Sequence, residues 1–254
     1  YPLQHFMQWG TPEDLNEYNY WSKIFHLLVS DNINHMQYKY KGAVLIPMAG
    51  YGKRFVNENY DLPKPLIKVS NEIMAMQAVR DLPRSENYIF SIRKNMKGFK
   101  YLSETLKKNF KNTNIISLEK PTKGQACTVI ESINKLPETN KININPLIIG
   151  ACDNGVIYSN HVLDMLLEDT SVDIIVWGIR NHFHAIKNPE MYGWIDADKD
   201  GLIKNISVKK PISDKLNEPI VTGTFIFKKS DFFEASYKKM IERQGTINNE
   251  YYVD

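Results

Sequence analysis

A short apolar run, Ala43-Val44-Leu45-Ile46-Pro47, leads into Met48-Ala49-Gly50-Tyr51-Gly52-Lys53-Arg54-Phe55. Glycines let a backbone approach a phosphate closely, so that its N–H groups point at the anion. Lys53 and Arg54 add positive charge, and a guanidinium can hold a phosphate through two parallel bonds. Lys64 follows ten residues past Arg54, between Pro63 and Pro65. The two prolines keep it on a stiff, extended backbone, with its ammonium group expected to face back toward the glycine loop. These residue types suit chemistry on a polyphosphate. Read singly, Gly50 and Gly52 fit an ordinary tight turn, and Pro63-Lys64-Pro65 fits a surface turn. Together, at this spacing after a first strand, they are much more specific. The loop lacks the third glycine of a dinucleotide fingerprint, and no Gly-Lys-Ser/Thr closes it as in a P-loop.

The elements that must position these groups follow from the hydrophobic pattern. Buried-type strands are expected at residues 43–47, 88–92, 114–118, 147–150 and 173–179, with amphipathic helices at 74–81, 101–109, 125–134 and 159–169. Strands alternating with helices imply an α/β fold: an open, Rossmann-like, mainly parallel sheet with helices on both faces. Residues 194–227 read as shorter strands with turns such as Asp200-Gly201, a small antiparallel extension of that sheet. A glycine-rich turn at the carboxyl end of the first strand is where such sheets bind ligands. Ahead of this core, Thr11 is a good N-cap, Pro12 suits the first helical position, and Glu13 and Asp14 fill the first turn of a helix over 12–28. The chain thus divides into a segment 1–29, a polar linker 30–41 and a core 42–254.

Composition narrows the function classes. The 254 residues are 43% hydrophobic and 24% charged, with a formal net charge of +3. That is ordinary for a globular protein and too mild to point to nucleic acid; it suits a small anionic ligand. Two cysteines, Cys127 and Cys152, make no disulfide framework and fit a reducing compartment. No run reaches the length of a membrane span, and no signal-peptide pattern opens the chain, so a cytoplasmic protein is expected.

On the glycine loop and Pro63-Lys64-Pro65-Leu66, the chain resembles the nucleotidylyltransferases that make NDP-sugars, with their relatives that activate phosphocholine and similar monoesters. That family opens with a strand, Gly-x-Gly-x-Arg and then Pro-Lys-Pro-Leu. The resemblance extends from Gly42 to Asp254. Gly124-Gln125-Ala126 looks like its base-recognition segment, and Ile148-Ile149-Gly150-Ala151-Cys152-Asp153 like the strand that delivers a metal-binding aspartate. Tyr192-Gly193-Trp194 resembles the segment whose glycine meets the acceptor. Val208-Lys209-Lys210-Pro211 resembles Glu-Lys-Pro, and Thr222-Gly223-Thr224 the strand closing the acceptor pocket. The resemblance implies a nucleotide-diphospho-sugar transferase type of fold. It implies an in-line attack of an acceptor phosphate on the α-phosphorus of an NTP, with release of pyrophosphate.

Under that resemblance, Arg54, Lys64 and Asp153 are the catalytic candidates. Asp153 would hold Mg²⁺. Ala49, Gly50, Tyr51, Gly52, Lys53, Gly124 and Gln125 would bind the nucleotide, and Gly193, Lys210 and Gly223 the acceptor. The implied partners are an NTP and a phosphorylated small molecule, not nucleic acid or a membrane. Lys209 stands where sugar-activating relatives often carry a Glu, which leaves room for cytidylyl transfer to a non-sugar phosphomonoester. His5-Phe6-Met7-Gln8-Trp9-Gly10-Thr11-Pro12-Glu13-Asp14-Leu15 resembles a segment found near the family's C-terminus, with Gln8 at the position of a second metal-binding Asp. It is either the tail of a preceding tandem copy or part of a permuted domain. That odd order and Gln8 also motivate a non-catalytic, nucleotide-sensing module, against which the intact Arg54, Lys64, Asp153 and Lys210 weigh. The aromatics of residues 1–29 suggest a contact surface for a second copy or a tandem neighbour. His182 and His184 are expected on one face of a strand in a structural or surface role rather than as a metal pair, and both cysteines as ordinary buried residues.

Overall fold

The computed structural model describes residues 10–29, 39–69, 71–141, 143–213 and 217–254. In chain order the elements are α1 (Pro12–Val29), β1 (Tyr40–Pro47), α2 (Lys53–Asn57), β2 (Lys68–Val69), β3 (Glu72–Ile73), α3 (Met74–Arg80), β4 (Ser85–Arg93), α4 (Phe99–Asn109), β5 (Thr113–Leu118) and α5 (Gln125–Asn134). There follow α6 (Glu138–Lys141), β6 (Leu147–Ile149), α7 (Asn160–Glu168), β7 (Ile174–Ile179), α8 (Phe183–Lys187), β8 (Gly193–Ala197), β9 (Ile203–Val208), β10 (Ile220–Phe227) and α9 (Ser230–Glu242). The chain forms two compact units. The larger holds Tyr38–Gly178 and Val221–Asp254, the smaller Tyr1–Gln37 and Ile179–Ile220.

In the larger unit, β5, β4, β1 and β6 lie side by side and parallel, and β10 runs antiparallel to β6. β7 also pairs with β10, and β2 and β3 form a separate two-stranded antiparallel ribbon. The continuous apolar run of β1 has a simple cause: both faces of the strand are covered. Val44 and Ile46 pack with Met76 and Val79 of α3, Leu102 and Leu106 of α4 and Leu163 of α7. Ala43 and Leu45 point the other way, onto Ala126, Val129 and Ile133 of α5 and Phe233 of α9. Each large side chain so buried contributes about 1.5–3 kcal/mol. The expected helices on both faces are therefore present, as are the alternating strands.

β1 begins earlier than the pattern suggested. Tyr40 and Lys41, read as the end of a linker, are already in the strand. Tyr40 is buried, and its hydroxyl donates to Asp164 Oδ1 at 2.6 Å. A register shift between Tyr40 and Ala43 interrupts the pairing with β4, which hides the strand's start from a simple apolar count. Residues 30–38 of the expected linker, and Gln8, lie outside the described residues.

In the smaller unit, β8 and β9 form an antiparallel hairpin. Asp198 Oδ1 accepts from the N–H groups of Asp200 and Leu202, each at 3.0 Å, fixing the expected turn. Trp194, 1% exposed, packs with Ala185 and Ile220, and its indole N–H reaches the Pro189 carbonyl at 2.9 Å. α1 starts as expected, with the Asp14 N–H on Thr11 Oγ1 at 3.1 Å. Its Tyr20 ring meets His182 edge-on at 5.6 Å, and Trp21 lies 6.4 Å from His184.

The two histidines are not on a strand. Asn181 takes φ 57°, ending the extended run, and the Ala185 N–H bonds the His182 carbonyl at 3.0 Å to close a helical turn. His182 caps α8 and His184 lies within it. Burial, and then the nearby His184, lower the His182 pKa from 6.5. Its Nδ1 is buried without a hydrogen-bond partner among the described residues. An unfolded chain therefore takes up this proton at higher pH than the folded one. The neutral His182 favours the fold above the unfolded pKa, and that contribution is lost as pH falls through the folded value. We expect His182→Phe to flatten the decline in melting temperature between about pH 8 and pH 5; an unchanged decline would place the acid sensitivity elsewhere. Among the described residues no helix is long and apolar enough to cross a membrane.

Candidate active site

Four parallel strands deliver their carboxyl ends to one edge of the larger sheet: Pro47, Arg93, Leu118 and Ile149. The segments that follow them carry most of the expected site residues. After β1, Met48 and Ala49 remain buried, whereas Tyr51 is 55% exposed. Gly52 is left-handed, at φ 63° and ψ 41°, and turns the chain into α2, whose first residues are the exposed Lys53 and Arg54. A Cβ on Gly52 would lie 3.1 Å from Lys64 Cβ, so the glycine also lets the Pro-Lys-Pro segment close on the loop. A Cβ on Gly50 would meet nothing within 4 Å; that side of the loop is open.

Lys64 forms an ion pair with Asp153, which follows β6. Their side chains are 27% and 36% exposed, accessible enough for a ligand to compete with the pair. Cys152 beside them is buried, and its thiol is pushed up to about 12 by burial and by the Asp153 charge, which Lys64 partly offsets. A thiol held protonated is no nucleophile. Cys127 corrects the expectation of two buried cysteines: it is half-buried, with the Tyr237 hydroxyl 3.6 Å from its sulfur.

After β5, Gly124 caps α5 at φ 121° and ψ 176°, a conformation open essentially to glycine alone. Gln125 opens the helix. The Thr122 hydroxyl donates to the Gly124 carbonyl at 2.8 Å, and the Thr128 hydroxyl reaches the same oxygen at 3.1 Å. The chain's last residues dock here: the Tyr251 N–H bonds the Lys123 carbonyl at 2.8 Å, and the Ala126 N–H bonds the Tyr251 carbonyl at 3.1 Å. Next in sequence, the Tyr252 hydroxyl has its pKa raised by burial and by Glu250, while the charge of Arg54 pulls it down. The charge of Arg54 is thus felt at the residue next to the one that braces the Gly124 turn. Gly223 of β10 sits beside Asn154, whose amide donates to the Thr222 carbonyl.

Ala49, Gly50, Tyr51, Gly52, Lys53, Arg54, Lys64, Gly124, Gln125, Asp153 and Gly223 all belong to the larger unit, and Gly193 and Lys210 to the smaller. There Gly193 pairs with Val208, and the Lys209 N–H bonds the Tyr192 carbonyl at 3.1 Å, leaving Lys210 exposed at the hairpin's end. Two participants escaped sequence reasoning. Arg93, at the end of β4, bonds the loop's carbonyls, and Tyr251 braces the Gly124 turn through its backbone. Position at a strand's carboxyl end was the one available signal for Arg93.

The arrangement gathers cations and open backbone around one carboxylate, suited to holding a polyphosphate and offsetting charge that develops on it. Among the described residues, no group of three or more His, Cys, Asp or Glu could hold a metal ion by itself.

Comparison with known proteins bears on the family and the fold. A family model described as Nucleotidyl transferase matches residues 43–251. No curated protein sequence matches. Among solved structures, a nucleoside-diphosphate-sugar pyrophosphorylase from Vibrio cholerae RC9 is similar at TM-score 0.65 and 17% identity, over 83% of this chain and 84% of that one. An inositol-1-phosphate CTP transferase from T. maritima follows at TM-score 0.60 and 13% identity, over 86% and 80%. A UDP-glucose pyrophosphorylase complexed with UDP-glucose matches at 0.58 and 17%, over 84% and 83%. At these identities the structures bear on the fold.

Proposed function

The chain belongs to the nucleotidyl transferase family, and from that premise we propose that it joins an NTP to a sugar 1-phosphate, releasing pyrophosphate and giving an NDP-sugar. The observation that carries the reading is the Lys64–Asp153 pair set against the Gly52 turn. Both reactants are anions, so the site must cancel repulsion and align the attacking oxygen with the α-phosphorus. The N–H groups of the loop and Arg54 hold the triphosphate. Lys64 offsets charge developing near the α-phosphate. Gly124 and Gln125 meet the base, and Gly193, Lys210 and Gly223 are the candidates for the acceptor.

Asp153 is a hard oxygen donor, half-exposed beside that loop. One carboxylate plus substrate phosphates is a common way to hold Mg²⁺, so the residues fit that ion. When bound, Mg²⁺ neutralises charge on the phosphate oxygens. We propose too that α1 is part of this chain's own fold, since its rings pack on His182 and His184.

Lys209 favours a second reading, cytidylyl transfer to a non-sugar phosphomonoester. It takes φ 60° and turns its ammonium group onto the Met191 carbonyl. No carboxylate stands at that position to bind sugar hydroxyls.

The test is pyrophosphate release with Mg²⁺, the common NTPs, and a panel of sugar 1-phosphates and phosphocholine-like monoesters. Release is expected with one NTP–acceptor pair and is lost in Asp153→Asn. Nucleotide binding without release for any acceptor would replace the enzyme with a sensing module.

A further inference from the structure

We propose that Arg93 is the positioning residue that turns the loop's N–H groups toward the phosphates, an inference that rests on the nucleotidyl-transfer reading. Arg93 closes β4, the parallel neighbour of β1 in which Ser91 pairs with Pro47. That register carries its side chain alongside the loop. Nη1 donates to the carbonyl oxygens of Ala49, at 3.3 Å, and Gly50, at 3.1 Å. Nε donates to Asn95 Oδ1 at 2.9 Å, which fixes the plane of the guanidinium. The exposed Tyr51 ring lies over the same group, 4.3 Å from Cζ to the ring centroid.

A trans peptide unit carries its C=O and N–H on opposite sides. The Ala49 carbonyl shares a peptide unit with the Gly50 N–H, and the Gly50 carbonyl with the Tyr51 N–H. With both carbonyls held on Arg93, both N–H groups face away from it. Gly50 is also where an added Cβ would meet only open space. Consecutive N–H groups facing one way form an anion-binding nest. Arg93 thus spends its charge on protein oxygens, and the loop's other side offers its donors to the ligand. A lysine has one ammonium and no fixed plane, so it cannot bond both carbonyls and Asn95 in the same geometry.

The experiment titrates the wild-type protein, Arg93→Lys and Arg93→Met with inorganic tripolyphosphate and with each common NTP. It also measures steady-state kinetics and melting temperature. Both variants are expected to weaken tripolyphosphate and NTP binding about ten- to a hundredfold. The KM for NTP should rise in parallel, while the KM for the acceptor at saturating NTP stays within about threefold, a change of well under 1 kcal/mol. Unchanged tripolyphosphate affinity in both variants overturns the proposal. So does an equal rise in both KM values, which would mark a general loosening of the fold. If Arg93→Met fails to fold, Arg93→Lys carries the same comparison. Wild-type protein that binds neither NTP nor tripolyphosphate would remove the nucleotide reading itself, and this proposal with it.

Discussion

Lys64→Met is expected to lower turnover about a hundred- to a thousandfold, the loss typical of removing one preorganised group that stabilises transition-state charge. The melting temperature should hardly move. A half-exposed ion pair such as Lys64–Asp153 contributes about 0–1 kcal/mol to folding. The disparity between the two effects is the informative part. A pair kept for stability would lose stability and activity together; a pair kept for chemistry loses only activity. Asp153→Asn should also be severe. The double variant should fall little below the worse single one, because groups that act as a unit do not add. Steady-state turnover with saturating NTP and acceptor, beside thermal melts of all three variants, decides the matter. A drop of less than about tenfold for Lys64→Met would move Lys64 out of the chemical step.

Of that pair only Lys64 stood out in the residues themselves, because Pro63 and Pro65 set it apart from the chain's other lysines, whereas Asp153 was marked by the family resemblance alone, beyond the apolar run Leu147-Ile148-Ile149. Strands covered on both faces must be continuously apolar, so β1 and β6 were legible as well. Arg93 was not. Its type is common, and what distinguishes it is the parallel register that lays β4 beside the end of β1, a fact of tertiary pairing. The turn at Asn181 shows the converse. Phe183 and Ala185 alternate inward as strand residues would, yet one left-handed asparagine turned His182 and His184 into the start of a helix. Tyr40 misled for a third reason: a register shift separates it from the apolar run it belongs to. Each failure arose where a local backbone irregularity, or a partner distant in sequence, overrode the local pattern.

Gly124→Ala is expected to damage stability and nucleotide binding together, and so to mirror the Lys64 result. Gly124 lies at φ 121° and ψ 176°, which costs a residue with a Cβ about 1–3 kcal/mol. The added Cβ would also lie 2.4 Å from the Tyr251 carbonyl oxygen and 2.5 Å from its nitrogen. Neither atom can yield without breaking the bonds that tie Tyr251 to Lys123 and Ala126. Losing those adds about 0.5–1.5 kcal/mol apiece. The sum predicts a fall in melting temperature on the order of 5–15 °C. The binding effect follows from the same displacement. If Tyr251 leaves the Gly124 turn, the backbone of Lys123 and Ala126 loses its brace, and the segment proposed to meet the base is no longer held in place. NTP affinity should drop about tenfold or more, while tripolyphosphate, which needs only the glycine loop and its cations, should bind nearly as before. Gly50→Ala, with open space at its Cβ, should do the reverse, sparing stability and weakening tripolyphosphate. If Gly124→Ala instead weakened tripolyphosphate as strongly as NTP, the Gly124 turn would belong to the phosphate site, and the base would have to be held elsewhere.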